Sequence, residues 1–175
     1  ILLGGIYLRL RTDLWGDAGQ VLNIPLTSFN TFLLIMSSFT MVMALDAIKK
    51  NDIKGLKLFL SLTILGGVSF LGIQVYEYTH FILGNAELGQ ALQATGLKGD
   101  SFLWTSGTYG ATFYATTSFH GLHVLTGVIY LSVIFYQSNK GVYSSANYDR
   151  IEIAGLFWHF VDLVWILVFT IIYLI

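Results

Sequence analysis

The sequence has no cysteine, a single proline and few charges. Without cysteine there is no disulfide, no Cys-ligated zinc, no iron–sulfur cluster and no thioether-attached haem. Asp, Glu, Lys and Arg make up only 11% of the 175 residues. A soluble domain usually carries about twice that share. Basic runs of the kind that bind nucleic acid are missing, and a net charge of −1 selects no charged partner. A secretory leader is not visible either. The opening ILLGGIYLRLR is too short for a span and lacks the basic-then-apolar order of a signal peptide. It reads as the exit end of a helix that starts before residue 1.

What remains is apolar. Hydrophobic residues make up 55% of the chain and the mean hydropathy is +0.69. They gather in runs over 26–45, 55–83, 108–136 and 153–175. Each run reaches the roughly 20 residues that cross about 30 Å of hydrocarbon as a helix. Pro25 suits the first turn of the first run, where a missing N–H costs nothing, and Asp46 with KKNDIK closes it. The connections at 84–104 and 137–152 are rich in turn and polar residues. The expected architecture is an all-α, polytopic transmembrane helix bundle forming one domain over 1–175. It has four complete spans plus the end of a fifth at 1–10.

Six of the nine basic residues (Lys49, Lys50, Lys54, Lys57, Lys140 and Arg150) flank one side of these spans. Arg9, Arg11 and Lys98 flank the other. Positive charge favours the cytoplasmic side, so the 46–57 and 137–152 loops are expected there, with the C-terminus outward. These lysines read as solvated, topology-setting charges, with anionic lipid headgroups as a second role. Trp15, Trp104, Tyr136, Tyr143 and Tyr173 lie near span ends and read as interface anchors. Small residues let membrane helices approach closely. Gly107, Ala111 and Ala115 recur at intervals of four, and Gly66 and Gly67 precede Gly72, so both sets mark possible seams.

Deep inside the runs only two carboxylates occur, Glu77 and Asp162. An ionisable group in hydrocarbon costs a few kcal/mol, so each one calls for an explanation. Gln74, Glu77 and His80 are three apart, as are His120 and His123, and His159 and Asp162. That spacing puts each set broadly on one helix side. His123 and Asp162 fall near mid-span, and His159 lies about 4–5 Å further inward at 1.5 Å per residue. Glu77 stands about 10 Å outward of its own midpoint, with His120 the nearest candidate to approach it.

Three readings of the set Glu77, His120, His123, His159 and Asp162, with Gln74 and His80 as accessories, compete. In the first, carboxylates and imidazoles satisfy one another and lock three helices together, since buried polar groups need partners. In the second they relay protons, as intramembrane Asp, Glu and His often do, although they span only part of the depth. In the third, His123 and His159 hold a haem or metal between helices. Four histidines leave too few ligands for a haem plus a His-ligated copper, and bundle metal sites usually add facing carboxylates. The structural reading leads.

The residues also resemble a known family. FYATTSFHGLHVLTG, followed some thirty residues later by LFWHFVDLVWILVFTIIYL, resembles subunit III of the haem-copper terminal oxidases. NTFLLIMSSFTMVMA and LGIQVYEYTHFI agree with it, in order and with family-like spacing over essentially the whole chain. The chain looks like the five-helix bacterial form. Cytochrome c oxidases and quinol oxidases both contain such subunits, and the short connections lean slightly toward the quinol-oxidase-like branch.

The resemblance implies a subunit with no catalytic, cofactor or metal residues of its own, in a proton-pumping complex that reduces O₂ to water in aerobic respiration. Haems and copper would sit in the neighbouring subunit I. This chain would stabilise subunit I, contact other oxidase subunits, bind phospholipid and support proton uptake from a bacterial cytoplasmic membrane. The family positions present are Glu77, His120, His123, His159 and Asp162. A family carboxylate earlier in the chain would fall before Ile1. The alternatives are a stand-alone transporter or proton channel and, behind it, a b-type membrane cytochrome.

Overall fold

The computed structural model describes residues 24–84, 90, 92, 101–103 and 107–174. Four long helices run through them: α1 (Ile24–Lys49), α2 (Ile53–Leu83), α3 (Gly107–Asn139) and α4 (Asp149–Phe169). A π-helix over Thr170–Leu174 continues α4. All four helices are long and apolar enough to cross a membrane. The helix end expected at 1–10 lies outside the described residues, as do Trp15, Trp104, Arg9, Arg11 and Lys98.

Helix is the form these segments take because hydrocarbon offers no partner to a bare N–H or C=O. Local chemistry sets the ends. Asn51 adopts φ 59°, which stops α1, and the Asp52 N–H closes back on the Ala47 carbonyl at 2.9 Å. Asn tolerates this left-handed conformation better than most residues. Asp52 then caps α2, its carboxylate accepting from the Gly55 N–H at 3.0 Å. Beyond α3, Gly141 takes φ 71° and the chain folds back through a Ser144–Asn147 bridge. Tyr143 tucks under this turn and donates to Gln137 Oε1. Burial pushes its phenol above the ordinary range, which keeps it a donor.

The helices pack in a ring, α1 on α2, α2 on α3, α3 on α4 and α4 on α1. Neighbours are antiparallel, as the contacts show: Thr27 meets Glu77 while Thr40 meets Thr63, and Phe113 meets Tyr173 while Gly127 meets Trp158. Aromatic side chains fill the middle. Phe70 stands edge-on to Trp165 at 4.8 Å, and Phe81, Phe102 and Phe113 form a second cluster toward the Tyr173 end. Large apolar side chains such as Leu65, Leu156 and Phe160 point outward, as helices solvated by lipid require.

Gly66 and Gly67 do lie in seams. A Cβ on Gly66 would come within 2.7 Å of Ser37 Cβ, and one on Gly67 within 2.6 Å of the Trp158 ring. Gly72, expected with them, does not: a Cβ there would meet nothing within 4 Å. In the other expected seam, Ala111 and Ala115 face outward.

Candidate functional site

The interior polar groups form a ladder in three levels, with α1 supplying most of the rungs. At the level of the π-helix, Glu77 is buried and accepts two hydroxyls. Thr27 of α1 donates to Oε1 at 3.0 Å, and Tyr173 donates to Oε2 at 3.2 Å. One carboxyl therefore joins α1, α2 and the end of the last helix. Tyr173 reaches it because the chain widens to π geometry at 170–174. Each residue then turns the helix by less than the α value of 100°, which keeps Tyr173 under Trp165 and Phe169.

The next level surrounds Trp165. Its indole N–H donates to Thr31 Oγ1 at 3.0 Å, and Thr31 in turn donates to the Thr27 carbonyl at 2.8 Å. His120 lies against the same indole, centroids 4.8 Å apart, and meets Phe70 edge-on at 5.7 Å. It has aromatic neighbours, whereas Glu77 is served by Thr27 and Tyr173. Gln74 sits beside this level. Its Nε2 donates to the Thr117 carbonyl at 2.9 Å and to Tyr78 OH at 3.3 Å, and Tyr78 OH pairs with Thr117 Oγ1 at 2.6 Å.

The third level is built on two adjacent serines of α1. The Trp158 indole N–H donates to Ser37 Oγ at 3.0 Å. Ser38 Oγ hydrogen-bonds His159 Nδ1 at 3.1 Å, with the Asp162 carboxyl beside it. The two α4 residues thus meet at one serine of another helix.

The sequence-derived set therefore divides. His159 and Asp162 share Ser38, and Gln74 and Glu77 share the interior of α2 at successive levels. His120 and His123 part company: His120 is buried, while His123 is half-exposed with Nδ1 on the Phe119 carbonyl at 2.8 Å. His80 is exposed near the end of α2. Two steps of three residues fall about 120° short of two full turns, enough to swing His80 off the face that buries Gln74.

Sequence reasoning passed over Thr27, Thr31, Ser37 and Ser38, and Tyr173 and Tyr143 are not interface anchors. Both tyrosines are buried, Tyr173 on Glu77 and Tyr143 on Gln137. Tyr136 is exposed, with Lys140 over its ring at 4.6 Å. The available signal was the repeat of hydroxyls at 27, 31 and 38, which share one side of α1. Among the described residues, no three His, Cys, Asp or Glu side chains converge as a metal site.

Residues 82–175 match the family model described as cytochrome c oxidase subunit III. That stretch is more than half of the chain. The chain belongs to the cytochrome c oxidase subunit III family. Relatives agree over nearly its full length. It is 30% identical over 172 residues to cytochrome c oxidase subunit 3 of Alkalihalophilus pseudofirmus, covering 97% of this chain and 76% of that one. With the same subunit of Thermostichus vulcanus it shares 32% over 180 residues, covering 99% and 80%. The Bacillus subtilis subunit is 32% identical over 170 residues, covering 96% and 75%. The lean toward a quinol-oxidase-like branch gains nothing here, since these relatives are cytochrome c oxidase subunits by name. As a subunit III, the chain is a multi-pass membrane component of an oxidase complex whose partners are the other oxidase subunits, and it is itself non-catalytic.

Proposed function

We propose that this subunit III acts by packing. It stabilises the haem- and copper-bearing subunit I, holds phospholipid against its outer faces, and supports proton uptake during O₂ reduction. The complex sits in a bacterial cytoplasmic membrane, with the 46–57 and 137–152 loops cytoplasmic and the C-terminus outward. Glu77, His120, His159 and Asp162, with Gln74, are the internal fastening of that scaffold, and half-exposed His123 lies at its edge. The observation carrying this reading is the use made of the carboxyls. Glu77 ties α1, α2 and the π-helix through Thr27 and Tyr173, and beside Asp162 the His159 ring ties α4 to α1 through Ser38.

Proton handling is a second reading, favoured by one feature. His159 and Ser38 are hydrogen-bonded and Asp162 lies beside them, so imidazole, hydroxyl and acid meet within one level. A serine in that position passes a proton by giving one and taking another.

The test is removal of the chain from the native complex. The haem spectrum is expected to stay unchanged and oxygen reduction to begin at its normal rate, then to fail earlier during sustained turnover. Proton flux through the purified chain alone in vesicles would overturn the packing role in favour of a channel. A Soret band from the isolated chain would overturn it in favour of a membrane cytochrome.

A further inference from the structure

Glu77 is buried, yet it stands close to one end of the bundle. Leu83 closes α2 six residues further on, about 9 Å along the axis at 1.5 Å per residue. Phe81 lies one turn nearer that end, and Phe113 of α3 packs on Tyr173, the donor to Glu77, with centroids 5.6 Å apart. Phe102 completes a triad with them. The three rings meet edge to face at 5.5, 5.7 and 5.9 Å, and none is more than 2% exposed. The Glu77–Tyr173 pair is thus covered by phenyl rings on the side where α2 ends. Toward the centre of the bundle the pair is followed by Trp165 and Phe70, so the route past the triad is the shorter way to water.

The three rings are not held alike. Phe81 and Phe113 belong to long helices, and moving either ring far means moving a helix. Phe102 stands outside the helices. Its N–H donates to the Phe81 carbonyl at 3.1 Å, and its carbonyl accepts from the Tyr114 hydroxyl at 2.8 Å. Non-helical segments open at lower free energy than the helices they join. An apolar constriction closes a path by keeping it dry, and it opens when one of its side chains leaves.

We propose that Phe102 is a removable stopper over Glu77. With its ring seated on Phe81 and Phe113, the carboxyl is shut off from the aqueous phase at the end of α2. Release of the Tyr114 latch lets water reach it, and Glu77 then exchanges a proton with that side of the membrane. This goes beyond the packing role, in which Glu77 stays enclosed throughout.

The test is thiol accessibility in the native complex, since the chain has no cysteine of its own. Glu77→Cys places the probe at the site, and Thr79→Cys, made separately, places one on the exposed side of the same helix. Each is treated with a charged, water-soluble methanethiosulfonate, and modification of this chain is timed by mass spectrometry. With Phe102 and Tyr114 unchanged, position 77 is expected to react slowly. Phe102→Ala should speed that reaction at least tenfold, and Phe102→Leu, which refills the space with an apolar side chain, should fall between. Tyr114→Phe keeps every ring and removes the latch, and should speed it at least threefold. This variant decides the matter if the alanine variant is lost from the complex. Where Glu77→Cys is itself lost, Thr27→Cys carries the thiol, because Thr27 contacts the same carboxyl. The rate at position 79 should not depend on residue 102 or 114. Equal rates at position 77 in all four backgrounds, no reaction there in any of them, or a matching rise at position 79 would overturn the stopper.

Discussion

The indole of Trp158 occupies the space that a side chain on Gly67 would need. A Cβ there would lie 2.6 Å from its Cη2, and one on Gly127, on the opposite side, would lie 2.8 Å from Cζ3. The ring is therefore wedged between α2 and α3 while its N–H holds α1 through Ser37. Neither glycine can gain a methyl group unless the indole moves, and moving it strains that bond. Gly67→Ala is expected to destabilise the subunit by about 1–3 kcal/mol, the usual cost of overpacking a filled interior. Gly72→Ala, with open space around it, should change nothing. Thermal unfolding of the detergent-solubilised complex, followed as loss of this chain, distinguishes the two variants.

Trp165 and Thr31 are coupled in the same way one level away, through a 3.0 Å bond from the indole N–H to the hydroxyl. Trp165→Phe and Thr31→Val each remove that bond, and the double variant removes it only once. A double-mutant cycle is expected to give a coupling of about 0.5–1.5 kcal/mol, the range for a single hydrogen bond between neutral groups. A coupling near zero would mean that both residues act through bulk alone.

The spans were legible in the sequence because hydrocarbon thickness imposes a long apolar run, and charge within a run stands out against it. Glu77 and Asp162 could be singled out on that ground. Their partners could not. Thr27, Ser38 and Tyr173 supply hydroxyls, which are common in membrane helices and leave no mark on a hydropathy profile. Spacings of three also promised more than they deliver. Each step loses about 60° of a turn, so His80 leaves the face of Gln74 and His123 drifts from His120 toward the outside. Tyr173 read as an anchor because it stands near the end of its run. Only the widened turn at Thr170–Leu174, which nothing in the residue pattern announces, brings it under Trp165 and onto Glu77.

Glu77 offers a separation of charge from shape. Glu77→Gln keeps an oxygen acceptor for one of its two hydroxyl donors at nearly the same size. Glu77→Leu keeps the bulk and removes the acceptor that Thr27 and Tyr173 share. The glutamine variant is expected to retain the subunit in the complex. The leucine variant should lose about 1–3 kcal/mol of stability, because buried hydroxyls are deprived of their acceptor. Retention after detergent washing measures both. Equal loss in the two would show that both carboxyl oxygens are required as acceptors.

Ser38 is the smallest residue on which two of the ionisable groups depend. His159 hydrogen-bonds its hydroxyl, the Asp162 carboxyl lies beside it, and Asp162 Oδ1 has no hydrogen-bond partner among the described residues. Ser38→Ala therefore takes a partner from an imidazole and a polar neighbour from an under-served carboxyl. Ser37→Ala releases an indole N–H and removes the bond that Ser37 gives back to the Leu34 carbonyl at 2.6 Å. Ser38→Ala is expected to cost about 1–3 kcal/mol, the penalty for leaving a buried polar group without its partner, against about 1 kcal/mol for Ser37→Ala. Ser38→Thr, which keeps the hydroxyl, should recover most of the loss if its added methyl is accommodated. Thermal retention of the three variants in the complex gives the order. Ser38→Ala no worse than Ser37→Ala would show that the histidine and the aspartate are held by packing, and that the serine between them is incidental.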